Sequence, residues 1–427
     1  MTRARSLAGA LLAGAIALLH ACHPPLAQRD TGPAPTKAIA DAPPASQPET
    51  PPPALHRATV RRASGTVDVR LSDFEGATRV TVAGSTPLPV IIERRGGGVA
   101  LRNGGEQAEI VLSAAPGRPG LELGAHTYPG RIRVRPRAAG GLEVTNVVEL
   151  EDYVTGVLPA EIVVWSAQSE ELRAQSIAAR SYAIAALDER GTKTKAPYLF
   201  DDARDQAYGG VLAENNAKAR DVKTRVTRAV ANTRGIVLIE GERVVDARFH
   251  AACGGDTTDG RRVFPELDFD CMRPVECAPC RGEMAATREA SAGVPATWTW
   301  NASRTALDGL AKRWSLGAHV ERIAPSASDA AGRWLEVEIR GPAGSKRVAF
   351  EDLRRALGEG NLASSRIVRT EPPAGEAITD GVRFEGRGRG HGVGLCQVGM
   401  RGYARAGWSA EKILDHYYPG ARLVDFR

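Results

Sequence analysis

"GRIRVRPRAAGGLEVTNVVELEDYV", Gly130–Val154, alternates apolar and polar side chains on both sides of "AAGG". A period of two interrupted by paired glycines reads as a β-hairpin. The second arm runs into "NVVELEDYVTGVLPAEI", Asn146–Ile162, and within seven residues a helix-like stretch begins, "SEELRAQSIAARSYAIAALDERG", Ser169–Gly191. Its Ala-rich body has helical composition from about Glu170 to Arg190, and Gly191 is placed to stop it.

Working outward, "ATVRRAS", "TVDVRLS", "RVTVAG" and "PLPVIIERR" are short alternating runs parted by Gly and Ser, which predicts further strands. More strands are expected in "GIVLIEGERVVDARFHAACGG". Beyond it, "SRTALDGLAKRWS" and "AFEDLRRALG" read as helices on either side of a strand, "RWLEVEIRG". Strands and helices do not alternate regularly, so the fold class is α+β and not a doubly wound sheet. No internal repeat is visible. The organisation read from this pattern is a strand-rich subdomain over 58–145 followed by a mixed helix and strand region over 146–427.

The chain has 427 residues, 43% hydrophobic and 5% aromatic, enough to bury a core in more than one lobe. Its net charge of +6 is spread along the sequence and not gathered in a tail. That distribution argues against a nucleic-acid role and suits an acidic polymer such as a cell-wall glycan. Residues 1–22 read as an export signal: "MTRAR" is a basic start and "LAGALLAGAIALL" an apolar run too short for a comfortable membrane span. The ending Leu19-x-Ala21-Cys22 resembles a bacterial lipobox, with Cys22 as the lipidated mature N-terminus; a plain secretory peptide is the alternative. No later segment is apolar enough to cross a membrane. Residues 23–57 form a Pro-rich tether, with ten prolines between His23 and Ala54. Too little apolar surface is present to fold it, and at roughly 3.1 Å per residue, about 30 residues reach on the order of 100 Å.

Three constellations carry chemistry. Glu161 stands among Leu158, Pro159, Ala160, Ile162, Val163 and Val164. Apolar surroundings raise a carboxyl pKa by disfavouring its charged form, the setting of a proton donor near neutral pH. Arg180, nineteen residues on, is a candidate to orient that carboxylate or to hold an anionic group of a substrate. The plain alternative is a helix N-terminal acid with an arginine that snorkels to solvent.

The second is "GRGRGHGVGLCQ", Gly386–Gln397, with glycine at 386, 388, 390, 392 and 394. It fits no G-x-G-x-x-G register, so phosphate cradling is excluded. Alternate glycines on an extended chain would bare one face to a sugar-sized ligand, with His391 on the other face and Gln397 close behind. A tightly packed Gly-rich turn with a satisfied histidine is the competing reading. Tyr208 in "DQAYGG" and Tyr417 in "ILDHYYPG" join His391 and Gln397 as candidate substrate-binding residues.

The third is metal-like. His250, Cys253, Cys277 and Cys280 give H-x-x-C and C-x-x-C, spacings that suit tetrahedral zinc, with Cys271 as an alternative fourth ligand. Disulfides compete in an exported protein. With Cys22 lipidated, five cysteines remain, so they cannot all pair.

In their order along the chain, "TYPGRIRV", "NVVELEDYVTGVLPAEI", "LRAQSIAARSYA", "DQAYGG", "TRGIVL", "FHAACGGDT", "GRGRGHGVGLCQVGMRGYARAG" and "ILDHYYPG" resemble the stage II sporulation protein D family, which includes the amidase enhancers. The resemblance covers roughly Gly124 to the C-terminus. It implies an α+β enzyme built around a glycan groove, a lytic transglycosylase acting on strands stripped of stem peptides by an amidase. The catalytic glutamate of the family falls on Glu161 and its arginine on Arg180, while zinc near "CGG" in some members implicates His250 and Cys253. "PAEI" lacks the commoner methionine, Cys396 stands where serine is more usual, and Arg389 occupies a common aromatic position. One glutamate suffices for such chemistry because the C6 hydroxyl of MurNAc replaces the nucleophile or water that a second carboxylate would serve. Glu151, Asp152 and Asp205 remain candidate assistants. The expected protein is an exported envelope lipoprotein, with peptidoglycan strands, a membrane and a cell-wall amidase as partners. Its zinc is structural. A non-catalytic amidase enhancer and a zinc amidase are the alternatives, the latter disfavoured because C-x-x-C ligation usually closes a site.

Overall fold

The structure, a computed structural model, describes residues 65–194, 196–281, 297–358 and 360–425. The export signal with Cys22, the Pro-rich tether and the first expected strand, "ATVRRAS", lie outside the described residues.

The hairpin forms as its alternation dictates. Strand Arg131–Pro136 pairs antiparallel with Leu142–Glu149, Ile132 opposite Asn146 and Val134 opposite Val144. They belong to a five-stranded sheet in the order Leu199–Phe200, Thr66–Arg70, Leu142–Glu149, Arg131–Pro136, Ile110–Ser113. Val144–Val148 are all buried, so this strand is covered on both faces and ends by delivering the chain into a helix.

That helix, α1, spans Leu150–Glu161, and α2 follows over Ser169–Lys193. Arg190 and Lys193 in its last turn suit the negative end of the helix, and α2 continues through Gly191 for two further residues. Most of Glu171–Ile184 is buried, which makes α2 the central helix of the fold; its alanines let neighbours approach on every side. Helix α3, Ala217–Asn232, is capped by the Asn216 side chain, which accepts from the Ala219 N–H at 2.9 Å. It buries Val226, Ala229 and Val230 and exposes Lys218, Arg220 and Arg228.

Two short helices, α4 at Gly260–Val263 and α5 at Ala278–Arg281, frame the cysteine-rich stretch. Helices α6, Arg304–Arg313, and α7, Phe350–Leu357, flank the strand Trp334–Gly341 as expected. Helices α8, Gln397–Arg405, and α9, Ala410–Tyr417, pack beside α2, and a strand, Arg422–Asp425, follows them and pairs with Ile236–Glu240. The class is α+β. Among the described residues no helix is long and apolar enough to cross a membrane.

One continuous core joins the early strands, α1 to α3, α8, α9 and the cysteines, so no break in packing falls between 145 and 146. A second core lies within 302–384, where α6 and α7 pack with two three-stranded sheets. The chain leaves the first core after α5 and returns through a parallel pairing of Leu395–Cys396 with Phe249–His250.

Candidate active site

Glu161 is the last residue of α1. Pro159 sits in the final turn, and the Ile162 N–H closes the helix on the Leu158 carbonyl at 2.9 Å. A helix N-terminus would favour the anion; here the carboxylate stands at the C-terminal end, where the dipole opposes it. Leu158, Ile162 and Val164 around it are buried, while Glu161 itself keeps a window to solvent. Burial pushes its pKa up to about 7, against the opposing pull of the Ala207 N–H and the Gln397 amide. Oε1 accepts from the Ala207 N–H at 2.6 Å. The Gln397 amide lies beside the carboxylate, although its buried Nε2 completes no hydrogen bond of good geometry. Among the described residues no Lys or Arg forms an ion pair with Glu161, so the protonated acid is accessible at neutral pH.

Ala207 is placed by its neighbours. Asp205 accepts from the Tyr182 hydroxyl at 2.7 Å, from Arg190 at 2.6 and 2.9 Å, and from the Phe200 N–H at 2.7 Å. Saturated in this way, it anchors the loop and is not free to assist in proton transfer. Gln206 donates from Nε2 to the Tyr153 hydroxyl and the Ala179 carbonyl, both at 3.3 Å.

Arg180 is not brought to Glu161. Fully buried in α2, it grips Glu151 through Nε at 2.9 Å and Nη2 at 2.7 Å, and gives Nη1 to the Ile236 carbonyl at 3.1 Å. The expected orienting or substrate-binding guanidinium is therefore a positioning group that ties α2 to the start of α1 and to the strand Ile236–Glu240. Glu151 is committed to the same pair, and Asp152 is exposed on α1.

The metal-like constellation regroups. Cys253, Cys277, Cys280 and Cys396 are buried, with all four Sγ atoms within 4.8 Å of one another. No disulfide joins these cysteines. The fourth position expected of His250 or Cys271 belongs to Cys396, because the parallel pairing of 249–250 with 395–396 carries that sulfur to Cys253. His250 instead turns its Nδ1 to the Val393 carbonyl at 3.0 Å; burial first, and then the charge of Arg333, lower its pKa to about 4. Cys271 lies outside the group, its backbone N–H bound to Glu240 at 2.7 Å. Burial and the nearby Glu240 carboxylate push its thiol up.

The donor set fits zinc. Tetrahedral Zn–S bonds of about 2.3 Å place sulfurs about 3.8 Å apart, close to the grouping found. Backbone N–H groups of Cys253, Gly254, Gly255 and Gly399 point at the sulfurs at 3.2–3.4 Å, the support that thiolate ligands require. Hydrogen bonds from the other three cysteines and from Gly254 lower the Cys280 pKa, whereas burial raises those of Cys253 and Cys396. Four sulfur ligands would leave no open position for water, so the site suits structure and not catalysis.

A sequence profile of the stage II sporulation protein family matches residues 138–239, from the hairpin turn through Glu161 to the strand after α3. The stage II sporulation protein D of Bacillus subtilis is 25% identical over 329 residues, 75% of this chain and 86% of that protein. Over this stretch the chain is similar to stage II sporulation proteins. An uncharacterised protein of Brachyspira hyodysenteriae is 28% identical over 286 residues, 66% of this chain and 68% of the relative. The amidase enhancer of Bacillus subtilis is 27% identical over 306 residues, but the match spans only 40% of its length. The profile match ends before the cysteines and Gln397, so both rest on geometry.

Other expected contacts differ. Gly388, Gly390, Gly392 and Gly394 have φ of +78°, +96°, +83° and +68°, so the run is a chain of left-handed turns and not an extended strand with a bare face. It presses against 248–253: a Cβ on Gly388 would lie 2.5 Å from the Ala252 carbonyl oxygen, and one on Gly394 2.1 Å from that of Arg248. His391 is locked in this packing, its Nε2 donating to the Phe249 carbonyl at 2.9 Å and its Nδ1 accepting from the Val393 N–H at 3.1 Å. Tyr208 is buried with its hydroxyl on Asn146 Oδ1 at 2.8 Å, and Tyr417 is buried with its hydroxyl 3.1 Å from Cys277 Sγ. Of the four candidate substrate-binding residues, only Gln397 reaches Glu161. Cys396 was missed as a ligand; its only signal was a cysteine where serine is more usual.

Proposed function

We propose that this protein is a peptidoglycan lytic transglycosylase that cleaves MurNAc–GlcNAc β-1,4 bonds in peptide-free strands. The observation that carries the reading is Glu161: a carboxyl raised to about 7 at the solvent window of an otherwise apolar site, with no ion-pair partner among the described residues. Protonated, it donates to the glycosidic oxygen as the bond from that oxygen to MurNAc C1 breaks and positive charge develops at C1. The C6 hydroxyl of the same MurNAc then attacks C1, and the Glu161 carboxylate takes its proton, closing the 1,6-anhydro ring. The proton thus leaves and returns to one residue, and a second catalytic carboxylate is not needed. The Ala207 N–H holds the carboxylate in place between the two steps, with the Gln397 amide beside it. Cys253, Cys277, Cys280 and Cys396 would hold a structural zinc, which would brace the segment from which Gln397 projects. An exported, lipid-anchored envelope protein is the matching location.

Mass spectrometry of products from peptide-free glycan tests the reading. Anhydro-MurNAc ends are expected; reducing ends would indicate a hydrolase. The similarity to a protein named amidase enhancer favours a second reading, a non-catalytic wall-binding partner of an amidase, which predicts no cleavage at all.

A further inference from the structure

Trp165 is left uncovered in the stretch that follows Glu161. It lies in the single turn Val164–Ser166 and is 55% exposed, against a chain whose large apolar side chains are mostly enclosed. Four residues from Glu161, it stands within about 14 Å of it by chain length alone. Its backbone is held from two sides. Arg225 on α3 donates to the Trp165 carbonyl at 3.0 Å and also to that of Ala167. Arg401 on α8 donates to the Val163 carbonyl at 2.8 Å and the Ser166 hydroxyl at 3.5 Å. Arg401 is one turn from Gln397 on α8, so the helix that lines Glu161 also fixes the Trp165 segment.

Lys218 is seven residues before Arg225 on α3, hence on the same face, and its Nζ lies 5.0 Å from the centre of the Trp165 ring. Lys218 is exposed and has no carboxylate partner among the described residues. An open indole beside an uncommitted ammonium is amphipathic recognition chemistry: the apolar ring offers a stacking face and the cation reads an anion at its edge.

We propose that Trp165 and Lys218 form a glycan subsite that selects peptide-free strands by their free lactyl carboxylates. The inference rests on the transglycosylase reading and adds a source for its specificity. Removal of a stem peptide by an amidase breaks the amide on the lactyl group and leaves a carboxylate on every MurNAc. An intact strand carries a neutral amide and a bulky peptide there. The Trp165 ring stacks the sugar, whichever group the lactyl carries, and the Lys218 ammonium pairs with the carboxylate only when it is free.

The test uses the full chain with two probes: peptide-free strands with free lactyl carboxylates, and the same strands with those carboxyls converted to methylamides. Binding is read by co-sedimentation at low salt, apart from cleavage. Wild type is expected to bind the free-acid strands about two- to fivefold more tightly, the range of one exposed ion pair, with the preference shrinking as salt rises. Lys218→Gln should bind both probes alike, and Trp165→Ala should lose affinity for both together, each with an unchanged thermal midpoint. Equal wild-type binding to the two probes, no binding to either, or a preference that survives in Lys218→Gln would overturn the subsite. Binding with the expected preference but no anhydro ends would instead overturn the transglycosylase reading and leave the subsite standing.

Discussion

Cys396 sets its sulfur among those of Cys253, Cys277 and Cys280, and the next residue, Gln397, sets its amide beside Glu161. One peptide unit therefore links the cluster to the acid. Cys396 also caps α8 by accepting from the Gly399 N–H at 3.3 Å, so loss of a bound ion would loosen both the helix start and Gln397. About one zinc per chain is expected by elemental analysis of protein purified without chelator. Chelation, or Cys396→Ser, should lower the thermal midpoint and reduce glycan cleavage together. A metal-free protein with unchanged stability and activity would sink the structural-zinc reading.

Arg180 and Glu151 make a second prediction. Their pair is buried on the arginine side, and removing one partner strands the other charge, at a typical cost of about 3–5 kcal/mol. Arg180→Ala should therefore behave as a folding variant, with lower denaturation midpoint and lower yield. The folded fraction should retain most of its specific activity. A well-folded Arg180→Ala protein with cleavage abolished would return the arginine to the active site.

Much of the fold was legible because its elements obey local rules. The hairpin around Gly140 and Gly141, α6, α7 and the strand between them follow from alternation and helical composition alone. Helix α1 was not legible, because Gly156 and Pro159 are poor helix residues and a tertiary contact overrides that preference. A Cβ on Gly156 would meet the Tyr208 ring at 2.5 Å. The burial of Glu161 was legible from its apolar neighbours. The partners of Arg180, Cys253 and Tyr417 were not, since each is supplied by a segment far away in sequence: Glu151, Cys396 and Cys277. The glycine run left an extended strand and a packed turn open for a related reason, and the packed turn is the one that forms. A period of two in glycine records left-handed turns against 248–253, and sequence alone does not distinguish these from an extended strand.

The glycines can be told apart by substitution. Gly394→Ala would place a Cβ at positive φ and 2.1 Å from the Arg248 carbonyl oxygen, so a loss on the order of 3 kcal/mol is expected. Gly191→Ala lies inside α2 with no atom within 4 Å of the new Cβ and should instead gain roughly 0.5–1 kcal/mol. Urea denaturation of both variants checks the pair; a tolerated Gly394→Ala would contradict the tight-turn reading.

Glu161→Gln carries the mechanistic prediction, and the sign of its pH dependence can be worked out. The folded carboxyl binds its proton up to about pH 7, whereas an unfolded one releases it near 4.5. Between those values the native state holds more protons than the unfolded state, so the contribution of Glu161 to stability falls as pH rises through that window. The charged form then costs on the order of 3 kcal/mol at pH 8, a cost that glutamine does not bear. Glu161→Gln should accordingly melt above wild type at pH 8 and lose that advantage by about pH 4.5. Its glycan cleavage should fall by at least about 10²–10⁴-fold, since both proton transfers use the same group, while strand binding persists. In wild type, kcat/KM should decline above about pH 7 as the donor ionises. A Glu161→Gln protein that keeps full cleavage would end the proposal that this residue is the acid. A variant that gains no stability at pH 8 would show that the carboxyl is not held in its neutral form by burial.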